Sequence, residues 1–408
     1  MAVSDRWAAT LCRTSAWIAL TCACSSSAPS GPHVTLGVLL PYTGEASALS
    51  ANLEKGSLLA VEQMNRAGGV NGLPVDIVFG NTFSDSERAV AEARALVARG
   101  AVAVIGPGGD EGAEPVFEAL QESGVPLLSP LASASGQGVG TAAVPWFRMA
   151  PTTLVLGGNL AKVVRDAGVT RVAAVMADDV YHSELGTAFV EEYGKRGTVD
   201  LAETVNEDGI DFEALTTVLA AQLDDGVEGV MLALQPRPAA RLATELQARR
   251  GSRPPPRWFL TPRLKTELLL LNASPGVFND AVGIAPEVFP AARAEFEPRF
   301  QQESGDTPFD PTFYLYDATA VALLAMDRAL ARGDTLPEGI PAAIRQVASF
   351  GGVLLNWDDF GQARDINLAQ GKLQFTGLTG PVILAADGAR IIGTTSLWGV
   401  QNEAIVER

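Results

Sequence analysis

Residues 65–75 read NRAGGVNGLPV, and this stretch decides how the chain folds around it. Gly68, Gly69 and Gly72 have no side chain, so they adopt the positive φ angles that a helix end and a tight turn require. Pro74 has no N–H donor, and proline is tolerated at the first residue of a strand, where that donor is dispensable. The stretch therefore predicts the end of a helix, a tight turn and the start of a strand.

Short apolar runs alternate with amphipathic stretches on both sides of this turn. The apolar runs predict strands at 34–40, 75–79, 102–105, 126–128, 172–176, 199–205, 229–233, 258–260 and 281–284. Helical spacing of apolar residues lies between them, for example over 49–64. Repeats of strand and helix are typical of doubly wound parallel sheets. The sequence therefore predicts an α/β fold with two Rossmann-like lobes.

Changes in composition along the chain predict the domain boundaries. Residues 1–24 are expected to be a lipoprotein signal peptide, and the Ser-, Gly- and Pro-rich residues 25–33 a flexible tether. We expect lobe 1 to combine 34–148 with 285–350, and lobe 2 to combine 151–284 with 351–408, where short runs over 373–397 indicate β-hairpins. Because each lobe uses two separate parts of the chain, a hinge of several crossings joins them.

The composition indicates a folded body and excludes nucleic acid as a partner. Hydrophobic residues make up 47% of the 408 residues and charged residues 19%, so the chain has enough apolar surface to build cores. The net charge of −17 repels nucleic-acid phosphates and anionic lipid headgroups.

The amino-terminal segment predicts export and attachment to a lipid. Residues 15–23 are an apolar run too brief for the roughly 20 residues of a membrane-spanning helix, so the run is typical of a secretory signal. The only cysteines are Cys12, Cys22 and Cys24, which leaves the body without disulfides. Residues 20–27 resemble a bacterial lipoprotein box with Cys24 as the acylated residue. Ordinary cleavage to a soluble secreted form is the alternative.

Five further motifs, taken in chain order with the glycine turn, resemble one protein family. They read GVLLPYTG at 37–44, SDS at 84–86, VIGP at 104–107, VPLLSP at 125–130 and YLYDA at 314–318. Together they are similar to the type I periplasmic binding proteins of the branched-chain amino-acid (Leu/Ile/Val) class, which serve ABC transporters. The resemblance implies a hinge that closes two lobes on a small-molecule ligand, with a membrane permease as partner and no cofactor.

The resemblance also implies where the ligand lies: between the lobes, at the carboxyl ends of the strands, where helix amino termini point free N–H groups. Leu131, Ala132 and Ser133 match the ligand loop of the first lobe, although a turn serine is the alternative for Ser133. Tyr181 falls where the second lobe offers an aromatic side chain. Phe313 matches an aromatic residue near the hinge, for which a position in the core is the alternative.

Two positions depart from the family pattern and bear on the ligand. Asp110 stands where amino-acid binders commonly carry a serine for the ligand carboxylate, and it either caps the next helix or accepts a ligand ammonium or sugar hydroxyl. Arg263 stands where the family often carries a glutamate for the α-amino group. If Arg263 faces the cleft it favours an anionic ligand group; an exposed arginine at a helix start is the alternative. We expect a small polar ligand (amino acid-like, amide or related), with α-amino acids not assured.

The sequence does not indicate an enzyme. The loop GPGGDEG at 106–112 lacks the third glycine of the dinucleotide fingerprint, because Glu111 occupies that position. His33 and His182 are the only histidines, too few for a metal or acid–base site built on histidine. We therefore expect an exported, monomeric binding lipoprotein without catalytic or metal-binding residues, held to the membrane only by its lipid and facing the periplasm or the extracellular side. A ligand sensor or regulator of envelope enzymes is the second hypothesis.

Overall fold

The computed structural model describes residues 31–44, 46–134 and 146–408, without the side chains of Asp110 and Glu111. The predicted acylation site Cys24, the signal segment and most of the tether lie outside the described residues. The chain from His33 to Arg408 forms one compact unit. Among the helices of the described ranges, none combines the length and the apolar character needed to cross a membrane.

The first part of the chain alternates strands with helices, as the apolar runs predict. Its elements are β1 Val34–Leu40, α1 Ser50–Arg66, β2 Val75–Asn81, α2 Ser86–Ala98, β3 Ala101–Ile105, α3 Asp110–Leu120, β4 Leu127–Ser129 and β5 Trp146–Pro151. The five strands are parallel in the order β5-β4-β3-β1-β2. Leu36 and Val38 of β1 pack on the side of α1, and Leu39 packs on the side of α2 and α3, because successive strand side chains point to opposite faces. Both faces of this sheet are therefore covered.

The second lobe repeats the pattern. Its elements are α4 Thr153–Asp166, β6 Arg171–Ala177, α5 Val180–Gly194, β7 Thr198–Val205, α6 Phe212–Asp224, β8 Gly229–Ala233, α7 Pro236–Arg250, β9 Arg257–Leu260, α8 Glu267–Leu271 and β10 Val282–Pro286. The strands lie parallel in the order β10-β9-β8-β6-β7. One core contains α6, α7 and α8, and the other contains α4 and α5. The predicted fold class, two doubly wound lobes, is confirmed.

The chain then returns to the first lobe and ends in the second. The returning elements are α9 Pro290–Ser304, α10 Asp310–Ala331, α11 Ile340–Val347, β11 Val353–Leu355, α12 Phe360–Leu368, β12 Leu373–Gly377, β13 Gly380–Pro381 and β14 Ala389–Arg390. The last strands are β15 Thr395–Gln401 and β16 Ala404–Glu407. β14 extends the first sheet beside β5, and β15 pairs antiparallel with β10. Within the described part of the chain, three crossings therefore join the lobes, at 151–153, 286–290 and 390–395.

This arrangement corrects one expected boundary. Residues 351–408 were expected to join the second lobe, but residues 353–390 pack into the core of the first lobe. Trp357 contributes to this packing, since its ring lies 5.4 Å from that of Phe296 in α9 and 5.7 Å from that of Tyr316 in α10, measured between ring centroids. Only the final hairpin, β15 and β16, adds to the second sheet.

The glycine-rich turn that follows α1 has the predicted conformation. Gly68, Gly69 and Gly72 have φ angles of 101°, 76° and 87°. The turn also contacts α10, because the buried carboxylate of Asp327 in that helix accepts a 2.7 Å hydrogen bond from the Asn71 N–H. The turn thus fixes the start of β2 and attaches it to the central helix of the lobe.

Candidate functional site

A cavity of about 580 Å³ lies at the carboxyl ends of the strands, between the two sheets. The first lobe contributes the residues that follow β1, β2, β3 and β4, and the second contributes residues that follow β6 and β9. Parallel strands end at one edge of their sheet, so the loops after them converge there. The volume falls in the range of small-molecule sites, about 300–1,000 Å³.

The first-lobe wall is built from leucines, prolines and a few hydroxyl groups. Leu131 and Ser133 line the cavity directly after β4. The Ser133 hydroxyl lies 3.5 Å from the Leu131 carbonyl, and the Ser133 carbonyl accepts a 3.1 Å bond from the N–H of Thr153 at the first crossing. The predicted ligand loop therefore contacts both the cavity and the hinge.

The second-lobe wall carries the aromatic and cationic groups. Tyr181, in the first turn of α5, and Arg263, in the short helical turn after β9, both line the cavity. The Arg263 guanidinium carbon lies 4.0 Å from the centroid of the Tyr181 ring, a cation–π contact. Among the described residues that line the cavity, Arg263 is the only arginine, lysine, histidine, aspartate or glutamate.

Hydrogen bonds between Asp179, which caps α5, and His182, in the first turn of that helix, hold the amino end of α5 in place. Asp179 accepts bonds from the His182 N–H at 3.1 Å and from the ring Nδ1 at 2.5 Å, and the His182 side chain is fully buried. Burial alone would raise the pKa of Asp179, but the His182 bonds, followed by attraction to Arg263, lower it to about 2. Nearby, burial raises the pKa of Glu207 although the Gln235 N–H donates to it.

Tyr314 connects the cavity with the second crossing. Its ring lines the cavity from the second turn of α10, and its hydroxyl donates to the Glu287 carbonyl at 3.3 Å. The Glu287 N–H in turn donates to the Thr394 carbonyl of the third crossing at 3.0 Å. Burial raises the pKa of Tyr314, so the phenol stays neutral.

The structure brings four of the sequence-predicted residues together at the cavity: Leu131, Ser133, Tyr181 and Arg263. Ala132 lies between two of them but is buried in the core beside α3. Phe313 does not line the cavity: its ring packs at 5.2 Å from Phe296, because that side of α10 faces the interior. Asp110 begins α3 next to the lining residue Gly109, and its side chain lies outside the description.

Sequence reasoning missed several lining residues, of which Ser84 is the most instructive. It does not cap α2, because Asp85 does so by accepting a 2.9 Å bond from the Arg88 N–H. Ser84 instead has a φ of 54°, lines the cavity and bonds to the Thr43 carbonyl at 3.3 Å. The position of Ser84 just after the carboxyl end of a parallel strand was the feature of the sequence that could have identified it as a lining residue.

Comparisons with known proteins agree with this geometry. A family model described as periplasmic binding protein matches residues 33–391. The chemotactic signal transduction system substrate-binding protein BasB of Halobacterium salinarum is 27% identical over 373 residues, covering 87% of this chain and 84% of that protein. Leu/Ile/Val-binding protein homolog 3 of Brucella melitensis is 28% identical over 190 residues, 46% of this chain and only 51% of that protein, so the match spans about half of that relative.

A solved structure with the same fold is an ABC transporter substrate-binding protein from Desulfitobacterium hafniense in complex with Leu. It superposes with a TM-score of 0.70 at 18% identity and covers 92% of this chain and 100% of that one. At this identity the superposition establishes the arrangement of the elements.

Proposed function

Since the chain belongs to the periplasmic binding protein family and has its type I fold, we propose that it captures a small solute between its lobes and closes around it. The observation that carries the proposal is a cavity lined from both lobes, which are joined by three short crossings. A solute that contacts both walls stabilises the closed form relative to the open one, which is the basis of hinge closure. We propose that the protein binds the solute without catalysing a reaction, so the solute is released chemically unchanged.

The ligand contacts in this proposal come from both sides. On the first lobe, backbone groups of Leu131 and Ala132 and the Ser133 hydroxyl orient the solute, and Asp110 contributes its backbone N–H at the adjoining helix start. On the second lobe, Tyr181 and Arg263 complete the site. Their place in or beside the cavity wall supports this assignment.

Uptake through an ABC transporter is the proposed use of the captured solute. The closed body would deliver it to a membrane permease as an exported, monomeric lipoprotein, anchored through Cys24 and free to move on the tether of residues 25–33. Family membership supports export to the periplasmic side. A labelled-palmitate experiment with the C24S variant tests the anchor, because only the unaltered chain should incorporate label and stay with the membrane.

Sensing is the second candidate function, and one comparison favours it. The relative from Halobacterium salinarum is a substrate-binding protein of a chemotactic signal transduction system. Deleting the gene separates the two uses: transport predicts lost accumulation of the radiolabelled solute, whereas sensing predicts normal accumulation with a lost response.

The capture itself is tested by titration calorimetry with amino acids, amides, sugars and carboxylic acids, followed by small-angle scattering with the tightest binder. We expect binding to reduce the radius of gyration. L49W narrows the cavity and should weaken binding, whereas L58W, at an exposed leucine of α1, should not. Tight binding without compaction, or chemical conversion of the solute, contradicts the proposal.

A further inference from the structure

The two walls of the cavity differ in chemistry. The first-lobe wall is dominated by leucine side chains: Leu39, Leu49, Leu53, Leu131 and Leu315. Prolines also line the cavity, among them Pro41, Pro107 and Pro130. A surface of this kind gains free energy when it removes apolar ligand surface from water. The body of a matching solute is therefore apolar.

The cation on the second-lobe wall is held in a defined position. Arg263 lies in the helical turn Pro262–Leu264, whose last residue is fully buried, and the Leu264 N–H closes the turn by donating to the Thr261 carbonyl at 3.0 Å. The Tyr181 ring lies against the guanidinium at 4.0 Å. A planar guanidinium with a fixed orientation is suited to bidentate recognition of a carboxylate.

Two acidic side chains that interact with Arg263 leave this role in place. Asp179 and Glu207 interact with it electrostatically, but they accept hydrogen bonds from His182 and Gln235 and neither lines the cavity. A guanidinium has five N–H donors, so it serves a protein acceptor and a ligand carboxylate at the same time.

A ligand ammonium has no comparable partner in the described wall. The polar lining groups there are the hydroxyls of Thr82, Ser84, Ser133, Tyr181 and Tyr314, and no lining residue of the described ranges carries a carboxylate side chain. An ammonium taken out of water without an anionic partner is costly. The described wall therefore favours an anion over a zwitterion.

Building on the capture proposed above, we infer that the solute is a small monocarboxylic acid with an apolar body and no ammonium group. Arg263 on the second lobe holds its carboxylate, and the leucine wall of the first lobe holds its body. Such a ligand bridges the lobes, because its polar and apolar ends belong to different walls.

Two ligand series that vary only the charged groups test this inference by calorimetry at pH 7.5. The first is 4-methylpentanoate, leucine, 3-methylbutylamine and 4-methylpentanamide; the second is 3-phenylpropanoate, phenylalanine, 2-phenylethylamine and 3-phenylpropanamide. We expect the acid of at least one series to bind ten-fold or more tightly than the other three members. Tighter binding of the amino acid, or equal binding of acid and amide, overturns the inference.

Variants of Arg263 supply the second readout. R263Q should weaken binding of the acid at least ten-fold without changing binding of the amide, and R263K should fall between R263Q and the unaltered protein. R241Q is the matched control, because Arg241 lies 4.1 Å from the Phe212 ring outside the cavity. Unchanged thermal melting verifies that each variant folds, and equal losses for acid and amide in R263Q overturn the inference.

The outcomes separate this inference from the capture on which it rests. If a sugar, amide or amine binds and compacts the protein while both acids fail, capture stands and the carboxylate assignment is wrong. If no compound of the wider panel binds or compacts the protein, the capture function itself fails.

Discussion

The guanidinium of Arg390 donates a 2.8 Å hydrogen bond to the backbone carbonyl of Met149. Met149 lies in β5 two residues before the first crossing, and Arg390 ends β14 at the third. Arg390 is only 1% exposed, and its other donors reach the carbonyl oxygens of Thr379, Pro381 and Ile392 at 2.7 to 3.0 Å. One buried cation thus fixes two of the three crossings to each other.

Replacing Arg390 by methionine should lower the free energy of unfolding by about 3–5 kcal/mol, because several buried carbonyls lose their donor at once. Urea denaturation followed by tryptophan fluorescence measures this loss. R237M, at an exposed arginine of α7, is the control and should change stability by less than about 0.5 kcal/mol. A loss below about 1 kcal/mol in R390M would show that the Arg390 guanidinium does not hold the first and third crossings together.

Asp179 should contribute stability that depends on pH. Its pKa in the folded protein is about 2, below the ordinary value of 3.8. The contribution is therefore complete above about pH 4 and disappears as the pH falls through 2. Since 37% of the side chain is exposed, screening by water reduces the expected loss in D179N to about 1–2 kcal/mol at pH 7. Urea denaturation between pH 2 and 7 measures it.

D211N is the matched control for that experiment. Asp211 caps α6 by accepting a 3.0 Å bond from the Ala214 N–H, so it repeats the backbone cap of Asp179 without the His182 partner. We expect D211N to change stability by less than about 0.5 kcal/mol. If D179N and D211N lose equal amounts at every pH, the histidine bond is not the source of the stability.

Gly283 should not tolerate even alanine. It faces Trp398 across the pair formed by β10 and β15, and an added Cβ would overlap the buried indole ring, whose N–H donates to the Ile284 carbonyl at 2.9 Å. We expect G283A to cost about 2–3 kcal/mol through overpacking. G158A in α4, where a Cβ meets no atom within 4 Å, should instead gain about 0.5–1 kcal/mol. Thermal melting of both variants distinguishes these outcomes.

Asp327 should matter more than its place in a long apolar helix suggests. Its carboxylate accepts 2.7 Å bonds from the Asn71 N–H and from the Asn367 side chain. D327A removes the acceptor of the Asn71 N–H and the closer acceptor of the buried Asn367 amide, so we expect a loss of about 1–3 kcal/mol in urea denaturation. D334A, at a more exposed aspartate that pairs with Arg332 at 3.5 Å, should lose less than about 1 kcal/mol; similar losses in the two variants would contradict this role for Asp327.

Local patterns were sufficient to predict most of the fold. The strands predicted at 34–40 and 229–233 have the same ends as β1, Val34–Leu40, and β8, Gly229–Ala233. Both are short apolar runs that the sequence pattern delimits clearly. The helix α12, Phe360–Leu368, was not predicted, because its apolar residues are irregularly spaced and are buried by contacts with α1 and α10 that lie far away in sequence.

The candidate site was predictable only in part. Leu131, Ser133, Tyr181 and Arg263 were found because they follow strand ends within motifs that resemble a family. Tyr314 was not found, because it lies in a helix whose sequence indicates burial along its whole length. Its ring lines the cavity only because the amino end of α10 lies there in the folded protein. Such a placement depends on tertiary structure, which spacing along the chain does not encode.

The three crossings also set an order of events during synthesis. The strands of the second lobe from β6 to β10 are contiguous in sequence, so they are complete once the ribosome has passed residue 286. The first lobe contains β1 but also needs α10, whose buried side chains fill the same core. The apolar side chains of β1 are therefore without this partner while residues 41–309, about 270 residues, are synthesised, which is a long interval of exposed apolar surface. A protein built in this way benefits from a chaperone that keeps the early strands apart until the late helix emerges.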